Sequence, residues 1–245
     1  MSKQAEQNYL TLTGEAGRQH SLGKPFSDNY CGVNLASIGT IMSLLPPPPA
    51  RILDMGCGGG WTSVFFAKNG YEVVGQDISQ DMIDLAHENQ ANQNIDARLS
   101  FLCNDYEGMD VDGQFDAVVF YDCLDHAEDE RAAIATAYRA LKPGGIPVTH
   151  EPGEGHATAP GSIEAMQLYG VTERDMPPHL IIRHGQELGF SEQRVFPIPQ
   201  ELLEVFYNHS IPPLLSKAAW RRAKRVLRIA FRPSNRISSI VIMTK

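Results

Sequence analysis

Between residues 51 and 61 the chain reads Arg51-Ile52-Leu53-Asp54-Met55-Gly56-Cys57-Gly58-Gly59-Gly60-Trp61, an apolar run closed by an acid and followed by a burst of glycines. Glycines at alternate positions tolerate positive φ. Having no Cβ, they also let a ligand lie on the backbone where a following helix begins. This is the chemistry of a nucleotide-binding turn. In the dinucleotide pattern Gly-x-Gly-x-x-Gly a pyrophosphate rests on the helix end and the third glycine packs the helix closely. Trp61 stands where that third glycine would be, and Asp54 lies two residues before the first one. A pyrophosphate has no use for that carboxylate, whereas an amino-acid ammonium group has. A second acid, Asp77, ends the apolar run Tyr71-Glu72-Val73-Val74-Gly75-Gln76, 21 residues after Gly56. An acid at that distance suits a pair of ribose hydroxyls.

The elements that must position these groups alternate as a parallel sheet requires. Arg51 to Met55 and Tyr71 to Asp77 read as strands, with a helix from Trp61 to Lys68 between them that Gly70 ends. Ser79 is placed to cap a helix from Gln80 to Asn89. Arg98 to Leu102 is a third strand that runs into Cys103-Asn104-Asp105-Tyr106. Phe115 to Tyr121 is a fourth, apolar enough to be buried on both faces. A helix over Glu128 to Leu141, closed by Lys142-Pro143-Gly144-Gly145, leads to a fifth strand, Ile146 to Thr149. Upstream, Tyr9 to His20 reads as irregular. Leu35 to Leu45 reads as a helix stopped by Pro46 to Pro49, a stiff spacer into the first strand. A variable stretch extends to Pro178, and Leu180 to Leu188 is helical with Gly189 as its cap. Arg194 to Ile198 and Ser238 to Met243 are strand-like.

The acid-x-Gly-x-Gly-x-Gly turn, Asp77 at the end of the next strand, and the Leu141-Lys142-Pro143-Gly144-Gly145 closure together resemble class I S-adenosylmethionine-dependent methyltransferases. The resemblance runs motif by motif over residues 51 to 198. It implies an α/β fold with a Rossmann-like, seven-stranded, mostly parallel sheet. Helices lie on both faces, an antiparallel hairpin closes the sheet, and residues 199–235 are a basic helical insertion before the last strand, 236–245. Residues 1–49 then form an N-terminal cap and 50–198 the cofactor-binding core of a single domain. The implied cofactor is S-adenosylmethionine, held by Asp54, Gly56, Cys57, Gly58, Gly60, Trp61, Asp77, Ile78, Asn104, Tyr106 and Tyr121, with Asp105 near the adenine amino group. A finer likeness, carried by His20 to Phe26, Gly59 to Ser63, Glu151 to His156 and Tyr169 to Arg174, is to bacterial methyltransferases associated with glycosyltransferases in polysaccharide or glycoconjugate synthesis. The broad family often has Leu-His-His after strand four. Here the stretch is Leu124-Asp125-His126, so a role resting on the first of those histidines does not transfer.

Methyl transfer from a sulfonium is an in-line displacement, so catalysis is largely positioning. A hydroxyl acceptor must also lose a proton. Candidates at the carboxyl edge of the sheet are Asp122, Asp125, His126, Glu151 and His156, with His20 joining them if the N-terminal segment folds over the site. His126 is the first choice, since an ordinary imidazole pKa of about 6.5 suits general-base work near neutrality. The same residues with His150 have the donor chemistry for Mg²⁺, Mn²⁺ or Zn²⁺, but no spacing specifies an ion and no metal is assigned. A nicotinamide-dependent oxidoreductase and a non-catalytic ligand-binding protein are the competing readings. Trp61 and Asp54 speak against the first.

With 245 residues and 42% apolar content the chain can bury a full α/β core. No stretch approaches the roughly 20 apolar residues of a membrane span, and the polar N-terminus is no signal peptide. Cys31, Cys57, Cys103 and Cys123 are too scattered for a disulfide framework, so a cytoplasmic setting is expected. The charge is divided. Residues 1–204 hold all 29 acids against 12 Lys and Arg, a net −17, while residues 205–245 hold nine Lys and Arg and no acid. The acidic body excludes general nucleic-acid binding. The basic segment, with cations and apolar residues interleaved from Leu214 to Arg232, reads as an amphipathic helix. It either docks on the acidic body, receives an anionic small-molecule or glycan acceptor, or touches an anionic membrane surface.

Overall fold

A computed structural model describes residues 3–206, 213–231 and 238–245. Strands β1 (Arg51–Met55), β2 (Glu72–Asp77), β3 (Leu99–Cys103), β4 (Phe115–Tyr121), β5 (Leu141–Pro152), β6 (Ser191–Pro197) and β7 (Ser238–Thr244) form one sheet in the order β3-β2-β1-β4-β5-β7-β6. β1 to β5 pair in parallel, and β7 runs antiparallel to both β5 and β6. The fold is therefore the expected Rossmann-like one with an antiparallel closing hairpin. Its strand order reverses between β1 and β4, which opens a crevice at their carboxyl ends.

Residues alternate between two cores, one on each face of the sheet. Leu53, Met55, Val118, Phe120 and Val241 belong to one, while Ile52, Ala117, Val119, Ile240 and Ile242 belong to the other. Burial on both sides explains why these strands read as unbroken apolar runs. Helices α4 (Trp61–Lys68), α5 (Gln80–Asn92) and α6 (Glu130–Ala140) make the crossovers, and α8 (Pro178–Leu188) follows the helix α7 (Pro160–Tyr169). Ser79 Oγ accepts from the Met82 N–H at the start of α5, and Asp129 accepts from the Ala132 N–H at the start of α6.

Four expectations change. The segment over Tyr9 to His20 is helical, not irregular. It lies in α2 (Tyr9–Gly23), after α1 (Lys3–Gln7), and is broken only at Gly14 (φ 61°, ψ −151°). Polar contacts dock it, Arg18 to Glu88 at 2.5 Å and Thr11 to Asp81 at 3.0 Å, and the Ser79 hydroxyl donates to the carbonyl of Gln7 at the end of α1. The Leu141 to Gly145 closure is not the end of a helix. It opens β5, where Leu141 pairs with Phe115 before a bulge. The variable stretch contains α7. The helix Leu35 to Leu45 begins earlier, as α3 (Cys31–Leu44). Within the insertion, α9 (Pro199–Phe206) and α10 (Lys217–Phe231) are helical, while Arg232 and the end of the insertion at Asn235 lie outside the described residues.

Candidate functional site

The glycine turn joins β1 to α4 at the point where strand order reverses. Gly58 adopts φ +53°, and a Cβ placed on it would meet no protein atom within 4 Å, so its bare face opens onto free space. Gly60 differs. Its φ is +77°, and a Cβ there would lie 2.9 Å from both Ala86 Cβ and the Phe101 ring. Gly60 is glycine so that α5 and β3 can close against the turn.

Asp77 is tied to the same turn. One carboxylate oxygen accepts from the Gly58 N–H at 2.8 Å and the other from the Ser79 N–H at 2.9 Å. Asp54 lies beneath it, 1% exposed, with one oxygen accepting from the Thr62 and Ser63 hydroxyls at 2.6 Å each. Burial raises its pKa to about 6 against those two donors. One carboxylate oxygen pins the first turn of α4, and the other, Oδ1, is buried without a hydrogen-bond partner among the described residues.

The cavity encloses about 300 Å³. It is lined by Gly56, Cys57, Gly58 and Trp61 of the turn, by Asp77, Ile78 and Met82 at and after the end of β2, and by Tyr106, Tyr121, Asp122 and His126 at and after the ends of β3 and β4. Lys3, Glu6 and Tyr9 from α1 and α2, with His20, Lys24, Asp28 and Asn34, complete the lining. Six carboxylates (Glu6, Asp28, Asp77, Asp105, Glu107 and Asp122) face two lysines in this lining, and Lys3 bridges Asp105 at 2.5 Å and Glu107 at 2.8 Å. A lining so rich in carboxylates favours a cationic ligand and repels a pyrophosphate. Tyr121 is held edge-on to Trp61 at 5.3 Å and flat on His150 at 4.6 Å. Asn104 lies outside the lining. Its side-chain oxygen accepts from the Asp105 N–H and its carbonyl from the Gln76 amide, so it shapes the β3 turn. The Cys57 thiol is pushed well up by burial and is no nucleophile.

Among the proton-transfer candidates, Asp122, His126 and His20 line the cavity, and Glu151 does not. Glu151 is fully buried and accepts from the Leu124 N–H at 3.2 Å and the Cys123 N–H at 3.5 Å. It is the support of the loop after β4, not a group that reaches a substrate. His126 lines the cavity, and neighbouring carboxylates hold its proton. Burial opposes its proton, yet Asp125, Glu6 (3.5 Å) and Glu173 together hold its pKa well above the ordinary value. Asp122 projects into the cavity with φ +54°, its N–H donating to the His150 carbonyl at 2.8 Å. Non-glycine residues held in the left-handed region concentrate at working sites.

Of the residues considered for a metal, His150 is neutral, its pKa lowered by burial to about 4, and it stacks on Tyr121. Only Asp125 and His156 converge, joined by Glu173, with one donor atom of each within 4.8 Å of the others. His156 Nε2 lies 2.6 Å from Glu173 and 3.3 Å from Asp125, and these two carboxylates raise its pKa to about 10. The group is an imidazolium between two acids. Its stabilisation is complete below the unfolded histidine pKa of about 6.5 and is lost as pH rises through about 10. His156→Gln should therefore lower the melting temperature most near pH 6, and the gap should shrink steadily toward pH 10; a gap constant over that window would remove the ion-triad account.

The residues that sequence reasoning missed come mainly from the cap. His20 and Lys24 lie in a stretch already singled out, whereas nothing in the pattern around Lys3, Glu6 or Tyr9 marks them. Glu6 meets His126 across 120 residues of chain.

Residues 52–145 match the family model described as methyltransferase domain. A ubiquinone biosynthesis O-methyltransferase of Coxiella burnetii is 36% identical over 96 residues, 39% of this chain and 40% of that protein. The chain thus matches about two fifths of the length of that curated relative. The phosphoethanolamine N-methyltransferase 2 of Haemonchus contortus, solved with S-adenosyl-L-methionine, superposes with a TM-score of 0.68 at 21% identity, over 100% of this chain and 60% of that one. The cyclase SpnF superposes with a TM-score of 0.66 at 18% identity, over 100% of this chain and 97% of that one. At these identities the two structures establish the fold, and the second carries a different reaction on it.

Proposed function

We propose that the chain is a class I S-adenosylmethionine-dependent methyltransferase that methylates a hydroxyl of a small-molecule acceptor, a glycan or glycoconjugate intermediate being the class its finer sequence resemblance favours. The observation that carries this reading is the open face of Gly58, tied to Asp77 and set over a cavity whose lining holds six carboxylates against two lysines. Bound there, the cofactor would supply an electrophilic methyl group on a sulfonium. The match of residues 52–145 to a methyltransferase model supports the class, and the O-methyltransferase relative supports a hydroxyl acceptor.

In this reading Asp77 holds the ribose hydroxyls and Gly58 gives the ligand access to the backbone. Tyr121, fixed by Trp61 and His150, forms a rigid wall on the acceptor's side. Transfer of the methyl group to the acceptor oxygen would leave the carbon–sulfur electron pair on sulfur and require the hydroxyl proton to be taken up by the chain. The hydroxyl proton goes to Asp122. The carboxylates of the lining favour the positive sulfonium and ammonium groups, which a nicotinamide dinucleotide with its pyrophosphate lacks.

S-adenosylhomocysteine should raise the melting temperature and NAD should not, because only a ligand of the folded state stabilises it. Asp77→Ala should weaken S-adenosylhomocysteine binding by about 1–3 kcal/mol, the cost of unpairing groups from a charged acceptor. Calorimetry that finds unchanged affinity would place the ribose elsewhere.

A further inference from the structure

The helix α10 has no counterpart in the site just described, and its exposure pattern is the opposite of a packing element's. A helix that covers a protein core buries its apolar stripe and turns its charges outward. Here Trp220, Leu227 and Phe231 fall on one stripe by their spacing and are all exposed, Trp220 at 72% and Phe231 at 80%. The adjoining stripe, Lys217, Arg221, Lys224 and Arg228, is exposed as well. Leu214 and Leu215, in the turn before the helix, are wholly exposed. The body-facing side rests on Ile229, and Arg228 reaches Glu201 of α9 at 3.8 Å. The helix thus meets the body through Ile229 and the Arg228–Glu201 pair, while Trp220, Leu227 and Phe231 lie exposed beside Lys217, Arg221 and Lys224.

An apolar aromatic stripe beside a cationic one is the arrangement of a helix lying in the plane of a membrane interface. There, Trp and Phe enter the acyl boundary while Lys and Arg meet the headgroups. We propose that α10 is an interfacial helix that seats the protein on an anionic phospholipid surface. Charge complementarity selects that partner. The segment from 205 to 245 holds nine Lys and Arg and no acid, whereas residues 1–204 carry a net −17 and would be repelled by the same surface, which orients the molecule helix-first. The topology places the helix usefully. β6 ends at Pro197 and β7 begins at Ser238, which pairs with Pro152 at the end of β5, so the insertion leaves and rejoins the sheet at its carboxyl edge. That is the edge at which the cavity opens. Among the described residues no helix is long and apolar enough to cross a membrane, so the contact is one of lying on, not spanning.

The test uses the full chain and vesicles of phosphatidylcholine with or without phosphatidylglycerol, and it requires no methyl transfer, so its outcome is independent of the proposed reaction. The protein should float with the anionic vesicles and not with the neutral ones, with a blue shift of tryptophan emission, and added salt should weaken the association. The triple variant Lys217→Gln, Arg221→Gln, Lys224→Gln should partition at least about tenfold more weakly, since each cation near the surface contributes to the attraction. Trp220→Ser should also weaken it, while both variants keep the wild-type circular dichroism and S-adenosylhomocysteine affinity. Absence of flotation, equal partitioning of either variant, or a concentration-dependent dimer in sedimentation that vesicles do not dissociate would overturn the proposal. The last of these would assign the face to a second copy of the chain.

Discussion

Gly58→Val is expected to abolish S-adenosylmethionine binding while leaving a folded protein. No protein atom lies within 4 Å of the position a Cβ would take, so the new side chain meets only the cavity. The backbone cost is that of a β-branched residue at φ +53°, about 1–3 kcal/mol. A domain of this size, stable by about 5–15 kcal/mol, survives that. The ligand, in contrast, loses its approach to the turn, and affinity should fall by at least about 10²-fold, equivalent to roughly 3 kcal/mol. Gly60→Ala is the informative control, because its methyl would strike Ala86 and Phe101 and so damage the fold first. Calorimetry and thermal melting on the two variants separate the roles. Wild-type affinity in Gly58→Val would remove the cofactor from this turn.

Asp122→Asn should lower kcat by about 10²–10⁴-fold, the contribution of a positioned general base, with cofactor affinity unchanged. The substitution keeps the shape of the side chain and removes its ability to hold the proton. The N–H bond to the His150 carbonyl, which holds the backbone at φ +54°, is retained. His126→Gln should act differently, since His126 lies between Glu6 of α1 and Asp125 of the loop after β4 and so links the two. Its loss should raise the KM for cofactor more than it lowers kcat. A large fall in kcat with His126→Gln and none with Asp122→Asn would assign the base to His126 after displacement of Glu6. No effect from either would leave His20, the remaining cavity-lining candidate.

The sequence by itself determined the sheet and the turn. β4 falls on Phe115–Tyr121 and α4 on Trp61–Lys68, residue for residue as the apolar runs and the glycines delimit them. Asp77 meets Gly58 because a strand, a turn and one crossover helix fix how far along the chain the next strand must end. These are local facts, written in spacing. Tertiary structure alone decided the rest. Gly58 and Gly60 look alike in sequence and differ only in whether Ala86 and Phe101 stand behind them. Glu151 and Asp122 are both carboxylates at the carboxyl edge, yet one is consumed by the N–H groups of Cys123 and Leu124 while the other is free to face the cavity. His126 is pushed toward its protonated form by Asp125 and by Glu6 from far along the chain, and the exposure of Trp220 depends on where α10 comes to rest. A side chain's type and spacing are properties of the chain. Its charge state and accessibility are set by the neighbours that folding brings to it from far along the sequence.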